Sequence, residues 1–447
     1  MYGNDRAMPS ARALAAQVLV RVQRDRAFAA AALEAELARA VQLDARDRGL
    51  ATELTYGTLR VLPWLEAELA RFAPRGLGKL DPAVRAHLFV AAYQLAFTRV
   101  PAFAAVNEAV LAVHTLRGER LAAFANAVLR KVATRAGTLG DADRDEALAL
   151  SVPAWLRDAL ASALTPEGAR AFVLAGKEPP PIVLRVEDAN ARDAWVRTLA
   201  EAVPDARFAA GTVSPLAITV RGAGNPQKLP GGREGAWAIQ EEGSQLAALA
   251  LGAREGETVL DACAGRGNKT AVLARAVGAR GAVDACDALP VKLDRLREEL
   301  AGLGLHPRAT FPVDWAGGSG DVTGLYDRVL VDAPCSGVGT LRRRPDLLLR
   351  REPADLAAMA RAQRAIATQA ARHVRPGGTL LYVVCSVLRE EAEDVVAELL
   401  AARPELRPAP FEGSAARAIA GDEPSFRLLP HVHGTDGYFV AQFVRGG

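Results

Sequence analysis

The order of periodicities along the chain predicts a multidomain protein: an all-α N-terminal domain, a small α+β middle module, and an α/β domain built on a doubly wound parallel sheet. Three observations carry this. Residues 10–135 keep helical spacing with no strand-like alternation. Pro179-Pro180-Pro181 forms a stiff boundary. From about residue 241, helical and strand-like runs alternate, the pattern of repeated βα units. The expected domains are 1–140, 141–240 and 241–447, within the reach of a 447-residue chain that is half apolar.

In the first domain, Ser10 is placed to cap a helix whose Leu14, Val18, Leu19 and Val22 fall on one face. Further amphipathic stretches occupy 46–62, 81–97, 103–115 and 119–134. Asp81-Pro82 reads as an N-cap followed by proline at the first helical position, and Pro101 as the end of a helix. Residues 141–146 form a polar run, with a helix expected from Pro153 to Leu164. The middle module should hold strands at Ile182–Val186, Leu216–Val220 and Trp237–Gln240, with a helix near 191–202. The last domain should hold strands at 257–262, 281–287, 309–313, 326–332 and 379–385. A long helix near 353–374 should end at Arg375-Pro376-Gly377-Gly378, and Tyr438–Val444 should form a last, antiparallel strand at or near the edge.

Composition narrows the class. No run approaches the ~18 uncharged apolar residues of a membrane span. Met1 to Ser10 lacks the apolar stretch of a signal peptide. The four cysteines, Cys263, Cys286, Cys335 and Cys385, show no C-x-x-C spacing, so neither a metal site nor a disulfide framework is expected; a reduced, cytoplasmic and monomeric protein is. Residues 1–140 carry 19 lysines and arginines against 12 acids, a balance of +7, whereas the remainder balances at −4. A basic first domain suits a polyanion partner, although a solvated helical surface gives the same count.

Two cysteines close apolar runs fifty residues apart, in Asp332-Ala333-Pro334-Cys335-Ser336 and in Val384-Cys385-Ser386. Open α/β sheets carry their chemistry at such strand ends. Upstream, Thr258-Val259-Leu260-Asp261 leads into Ala262-Cys263-Ala264-Gly265-Arg266-Gly267-Asn268-Lys269-Thr270, a strand, a glycine turn and a helix start. The turn allows close backbone approach, and the helix start offers free N–H groups. Asp287, twenty residues after Gly267, stands where a carboxylate grips ribose hydroxyls, and Asp314 ends the next strand, where it either meets an adenine or caps a turn. A dinucleotide loop would need glycine or alanine at Thr270, so the turn alone fits nucleotide and S-adenosylmethionine binders equally.

With these motifs in order, nearly the whole chain resembles the RsmB/Sun-type 16S ribosomal RNA cytosine-C5 methyltransferases. The first 135 residues resemble a NusB-like RNA-binding domain through Asp47-Arg48, Leu54-Thr55-Tyr56-Gly57, Val106-Asn107-Glu108-Ala109-Val110 and Asn126-Ala127-Val128-Leu129-Arg130. The second half, expected to be a Rossmann-like methyltransferase domain, matches through Ile239-Gln240-Glu241-Glu242-Gly243-Ser244-Gln245, the glycine turn, Asp332–Gly339, Arg343-Arg344-Pro345-Asp346, Cys385-Ser386 and Gly434-Thr435-Asp436-Gly437-Tyr438-Phe439. Arg266 and Asn268 depart from the usual Pro-Gly of the loop, Val384 from threonine, and Glu187 from the asparagine of Arg-Val-Asn; Asn268 is expected to take the left-handed conformation.

The resemblance implies S-adenosylmethionine as cofactor, held by Cys263, Ala264, Gly265, Arg266, Gly267, Asn268, Lys269, Asp287, Asp314 and Asp332. It implies Cys385 as the nucleophile at cytosine C6 and Cys335 as the group that assists release; residue type alone does not rank the two. Asp332 faces the base edge if protonated or bridged, relieving charge at N3. Cys286, and Cys263 by its side chain, read as packing residues. Arg342, Arg343, Arg344, Arg350 and Arg351 are expected at phosphates beside an extruded base. The partner is then small-subunit ribosomal RNA. Two alternatives stay open: another RNA as substrate, or a non-catalytic RNA-binding assembly factor.

Overall fold

The computed structural model describes residues 10–447, and the reading of Met1 to Pro9 as free of a leader lies outside them. The described chain forms two compact units.

The helical unit runs to Asp158 and takes in Glu167–Pro179 and Leu341–Arg351. Its helices span Ala11–Arg24, Ala29–Arg39, Ala45–Arg60, Leu62–Ala70, Pro82–Phe97, Ala102–Arg117, Glu119–Ala136 and Asp141–Leu150. Ser10 Oγ and Asp81 Oδ1 accept from the N–H groups of Ala13 and Ala83, satisfying donors that a helix start leaves open. Leu14, Val18, Leu19 and Val22 are all buried, as their spacing predicts. Gly57 lies under Tyr93, where a Cβ would come within 2.1 Å of the ring, so this helix pair meets closely only because position 57 lacks a side chain. Pro101 starts the following helix and does not end the preceding one, which stops at Phe97 with Thr98 as its cap. The polar run at 141–146 is helical because Asp143 caps its start by accepting from Gly140 N.

The second unit joins the middle module to the α/β domain. The module is an antiparallel sheet of β1 (Ile182–Val186), β2 (Arg207–Ala210), β3 (Ala217–Arg221) and β4 (Trp237–Ile239), in the order β2-β3-β1-β4. Helix Arg192–Ala202 packs against β2 and β3. The large sheet follows with β5 (Thr258–Asp261), β6 (Ala282–Asp287), β7 (Ala309–Pro312), β8 (Tyr326–Asp332), β9 (Val374–Val384), β10 (Leu406–Pro408), β11 (Ser425–Leu428) and β12 (Tyr438–Arg445). Its order is β10-β12-β9-β8-β5-β6-β7, with β11 also on β12.

The five strands β9-β8-β5-β6-β7 are parallel, and β12 is antiparallel to β9, one strand in from the edge. Chain order reverses between β5 and β8, the switch point at which such sheets bind ligands. Leu260, Val329, Val331, Leu380 and Tyr382 bury one face, and Val259, Leu330, Leu381 and Val383 the other, as a sheet covered on both sides requires. Helix Pro353–Ala370 stops short of Arg375-Pro376-Gly377-Gly378, and that segment instead opens β9.

Candidate active site

The glycine turn is shaped by packing as well as by its own backbone conformation. Gly267 has φ 89°, ψ 8°, and a Cβ there would meet Leu300 Cδ1 at 2.6 Å and Leu296 Cγ at 2.9 Å. Only glycine suits both constraints. Gly265, at φ 56°, has open space where its Cβ would project, room for close approach to the backbone. Asn268 is the first residue of helix Asn268–Val277 and is not left-handed; Gly267 takes that role, which corrects the expectation. Arg266 is directed outward and pairs with Glu299.

A buried arginine braces this turn from the middle module. Arg185, 1% exposed on β1, donates to the carbonyl of Asn268 at 2.8 Å, to Gln240 Oε1 at 2.6 Å and to Glu187 Oε1 at 2.9 Å. Glu187 also pairs with Arg275 of the helix that follows the turn. The departure at 187 therefore puts a carboxylate between two arginines. Gln245 ties the carbonyl of Gln240 to the same site, so the expected boundary at 240/241 runs through a bonded network.

Asp287, at the end of β6, accepts from Gly265 N and Leu289 N and pairs with Lys292. Asp314 is exposed and caps a short 3-10 turn through Ala316 N. Asp261, at the end of β5, is fully buried; its Oδ2 accepts from Thr270 Oγ1, and its Oδ1 has no hydrogen-bond partner. Burial pushes its carboxyl up to about 7, against the hydrogen bond from Thr270, and neighbouring Asp332 adds to the rise. Open space at Gly265, free N–H groups at the helix start and a buried oxygen without a partner at the switch point fit a polar ligand such as S-adenosylmethionine.

Lys269 extends from the turn to Asp332 on β8, Nζ to Oδ2 2.6 Å, and lies 5.9 Å from the centre of the Tyr438 ring. Burial lowers the lysine's affinity for its proton, but Asp332 more than offsets this and the net shift is upward. Asp332 is thus the bridged carboxylate that the sequence allowed.

The cysteines converge. Asp332 on β8 is in register with Val383 on β9, and the chain continues from both strands at the same end of the sheet. Cys335 Sγ and Cys385 Sγ stand 3.1 Å apart. The Cys385 hydrogen bond and burial together hold the Cys335 thiol protonated well above the ordinary range. Cys286 is buried in the core and Cys263 packs against it, both with raised thiols through burial. Three backbone links lock the thiol pair: Gly339 N donates to Cys385 O at 3.1 Å, Gly437 N donates to Gly339 O at 2.8 Å, and Ala333 N donates to Val383 O at 2.9 Å.

Sequence reasoning missed Glu391 and Gln363, both fully buried beneath this turn. Glu391 Oε1 accepts from Ser336 N at 2.7 Å and from Gln363 Nε2 at 3.0 Å, and Oε2 accepts from Ser336 Oγ. Gln363 Nε2 also donates to Pro334 O. The one available signal was an acid-rich stretch, Glu390-Glu391, six residues after Cys385.

The arginine run falls in the helical unit, not in the unit that holds the cysteines. Arg60 donates to the Arg342 carbonyl, Asp346 accepts from Ala29 N, and Arg344 and Arg350 flank the Phe28 ring at 5.6 and 4.0 Å. Short range in sequence therefore does not bring these side chains into the cysteines' own unit.

A glycine turn at the switch point, a Lys-Asp bridge and two thiols brought together beyond neighbouring strands fit the class of S-adenosylmethionine-dependent methyltransferases. The chain belongs to the RsmB/F family of S-adenosylmethionine-dependent RNA cytosine-C5 methyltransferases with a NusB N-terminal domain. Residues 248–444 match the family described as 16S rRNA methyltransferase RsmB/F, and residues 9–134 match the NusB family. Rv1407 of Mycobacterium tuberculosis is 38% identical, with 98% of this chain and 97% of that one covered. The ribosomal RNA small subunit methyltransferase B of Pseudomonas putida is 34% identical over 97% and 98%. Among solved structures, PH0851 shares the fold with a TM-score of 0.79 at 23% identity, covering 97% of this chain and 98% of that one. NSun6 from Pyrococcus horikoshii, solved with SFG, matches 66% of this chain and 98% of its own at a TM-score of 0.57 and 19% identity.

Proposed function

We propose that this enzyme methylates C5 of a cytosine in 16S ribosomal RNA, acting as a monomer in the cytoplasm. The observation that carries the chemistry is the 3.1 Å separation of Cys335 and Cys385 beside the Lys269–Asp332 bridge. Cytosine C5 is a poor nucleophile. A Cys385 thiolate adding at C6 makes C5 enamine-like, and Asp332, held by Lys269, meets the base edge as charge builds at N3. S-adenosylmethionine supplies the electrophilic methyl group. Release requires C5 to lose its proton to water, the electron pair to re-form the C5–C6 double bond, and the C6–Sγ bond to break. Cys335, kept as a thiol, donates a hydrogen bond to the departing Cys385 sulfur.

Cofactor contacts are assigned to the turn from Cys263 to Lys269 and to Asp287, Asp314 and Asp332, and phosphate contacts to Arg342, Arg343, Arg344, Arg350 and Arg351. The 16S assignment rests on relatives such as the P. putida protein. Bisulfite mapping of small-subunit RNA from a deletion strain tests it: one cytosine should lose its methyl group, and an unchanged map excludes that RNA. Denaturing gels of the Cys→Ala variants with RNA and cofactor test the roles. Cys385→Ala should form no adduct, and Cys335→Ala should accumulate one. Light scattering on the purified protein checks the oligomeric state.

A further inference from the structure

Glu391 is a fully buried acid whose side chain is held by three hydrogen bonds. A buried acid is costly unless its oxygens are hydrogen-bonded. All three converge on the Cys335 turn: two come from Ser336, and the third comes from Gln363, which itself holds the Pro334 carbonyl. The backbone of Glu391 is fixed too, since its carbonyl accepts from Tyr382 Oη of β9 at 2.7 Å. Ser386, next to Cys385, adds a contact from its Oγ to Ser336 Oγ at 3.4 Å. The residues that follow both cysteines are therefore gathered over one acid.

We propose that Glu391 is a positioning residue that divides the labour between the two thiols, pinning the Ser336 turn so that Cys335 stays a hydrogen-bond donor against Cys385 and does not compete with it as a nucleophile. This rests on the thiol mechanism above. Negative charge near a thiol disfavours its thiolate. Cys385, then burial, then Glu391 all push the Cys335 thiol the same way. Neutralising the acid should loosen the turn and free Cys335 to ionise. The departing Cys385 sulfur then loses its donor, and release slows.

The test is Glu391→Gln in the full-length enzyme, with two readouts. The first is the rate of iodoacetamide labelling at each cysteine, resolved by peptide mass spectrometry without RNA or cofactor. Cys335 should label roughly threefold faster or more, with Cys385 within about twofold of wild type. The second is the denaturant-resistant RNA complex, which should accumulate as it does in Cys335→Ala. Equal acceleration at both thiols with a lower unfolding midpoint means general loosening and overturns the proposal, as does no change at either. Should Glu391→Gln not fold, Ser336→Ala removes the hydroxyl arm alone and should move Cys335 labelling in the same direction by less; no movement there overturns the proposal. Wild-type enzyme that labels as expected but methylates no RNA would fail the thiol mechanism while leaving the positioning of Cys335 by Glu391 standing.

Discussion

Asp287 accepts two backbone N–H groups and a lysine at the end of β6, so its carboxylate is fixed in direction before any ligand arrives. Asp287→Ala should weaken S-adenosylmethionine binding by roughly 1–3 kcal/mol, the usual cost of leaving buried polar groups unpaired. Calorimetry on a folded variant checks this, and unchanged affinity removes Asp287 from the site. Asp261 carries a pH prediction. Its folded carboxyl titrates at about 7 against an ordinary 3.8. The folded state therefore keeps a proton that the unfolded chain has lost, and the stability linked to this group is full below 3.8 and declines as pH rises to about 7. Asp261→Asn cannot ionise. Its stability relative to wild type should improve between pH 4 and pH 7, by up to a few kcal/mol. Urea unfolding midpoints at the two pH values measure the difference, and a constant offset would show that Asp261 does not titrate there. The candidate site residues that could be read from sequence, Asp287, Asp332, Cys335 and Cys385, end strands of a recognisable pattern or follow a strand end within three residues. Glu391 and Gln363 could not be read, because their partners come from segments 28 to 55 residues away.

The amphipathic helices and the strands of the βα repeat were legible; three short strands outside that repeat were not. The five parallel strands of the large sheet were expected near their observed positions because strand-like runs alternate with helical ones there; four of them are mostly buried, and β7 is not. β2, β10 and β11 were missed: they are three or four residues long, β2 is largely exposed, and the alternation of β11 runs over only four residues. Turns are where element geometry becomes chemistry. A Cβ on Gly339 would lie 1.9 Å from Gly437 O and 2.9 Å from Cys385 O, backbone atoms that the sheet holds in place. Gly339→Ala should therefore spread the thiol-bearing turn, destabilise the unit by about 1–3 kcal/mol and abolish adduct formation. Chemical denaturation and the denaturing RNA gel read the two effects separately. Wild-type behaviour in both would mean that the turn shifts freely.

At the scale of the molecule, the helical unit draws its buried core from residues 11–148, while Val173, Leu174 and the 341–351 segment add to its periphery. A fragment of residues 1–152 should fold with helical circular dichroism and a cooperative melt. Its basic balance predicts weak RNA binding that falls steeply with salt. Filter binding across a salt series checks this, and a folded fragment without RNA association at low salt would favour a protein-docking role for the domain. No single helix among the described residues is long and apolar enough to cross a membrane.

Sequence by itself determined the three kinds of architecture, the parallel sheet, the glycine turn and the pair of candidate cysteines. Each is written in local periodicity or in residue types at short spacing, and local sterics and burial act on those directly. Tertiary structure alone decided that Arg185 reaches across from the middle module to the Asn268 carbonyl, joining two segments that read as separate domains. It alone assigned the arginine run to the helical unit, brought the two sulfurs to 3.1 Å and set Glu391 beneath them. Those contacts join residues far apart in the chain. Their energies depend on burial and on satisfied polar partners, which exist only once the sheet has assembled.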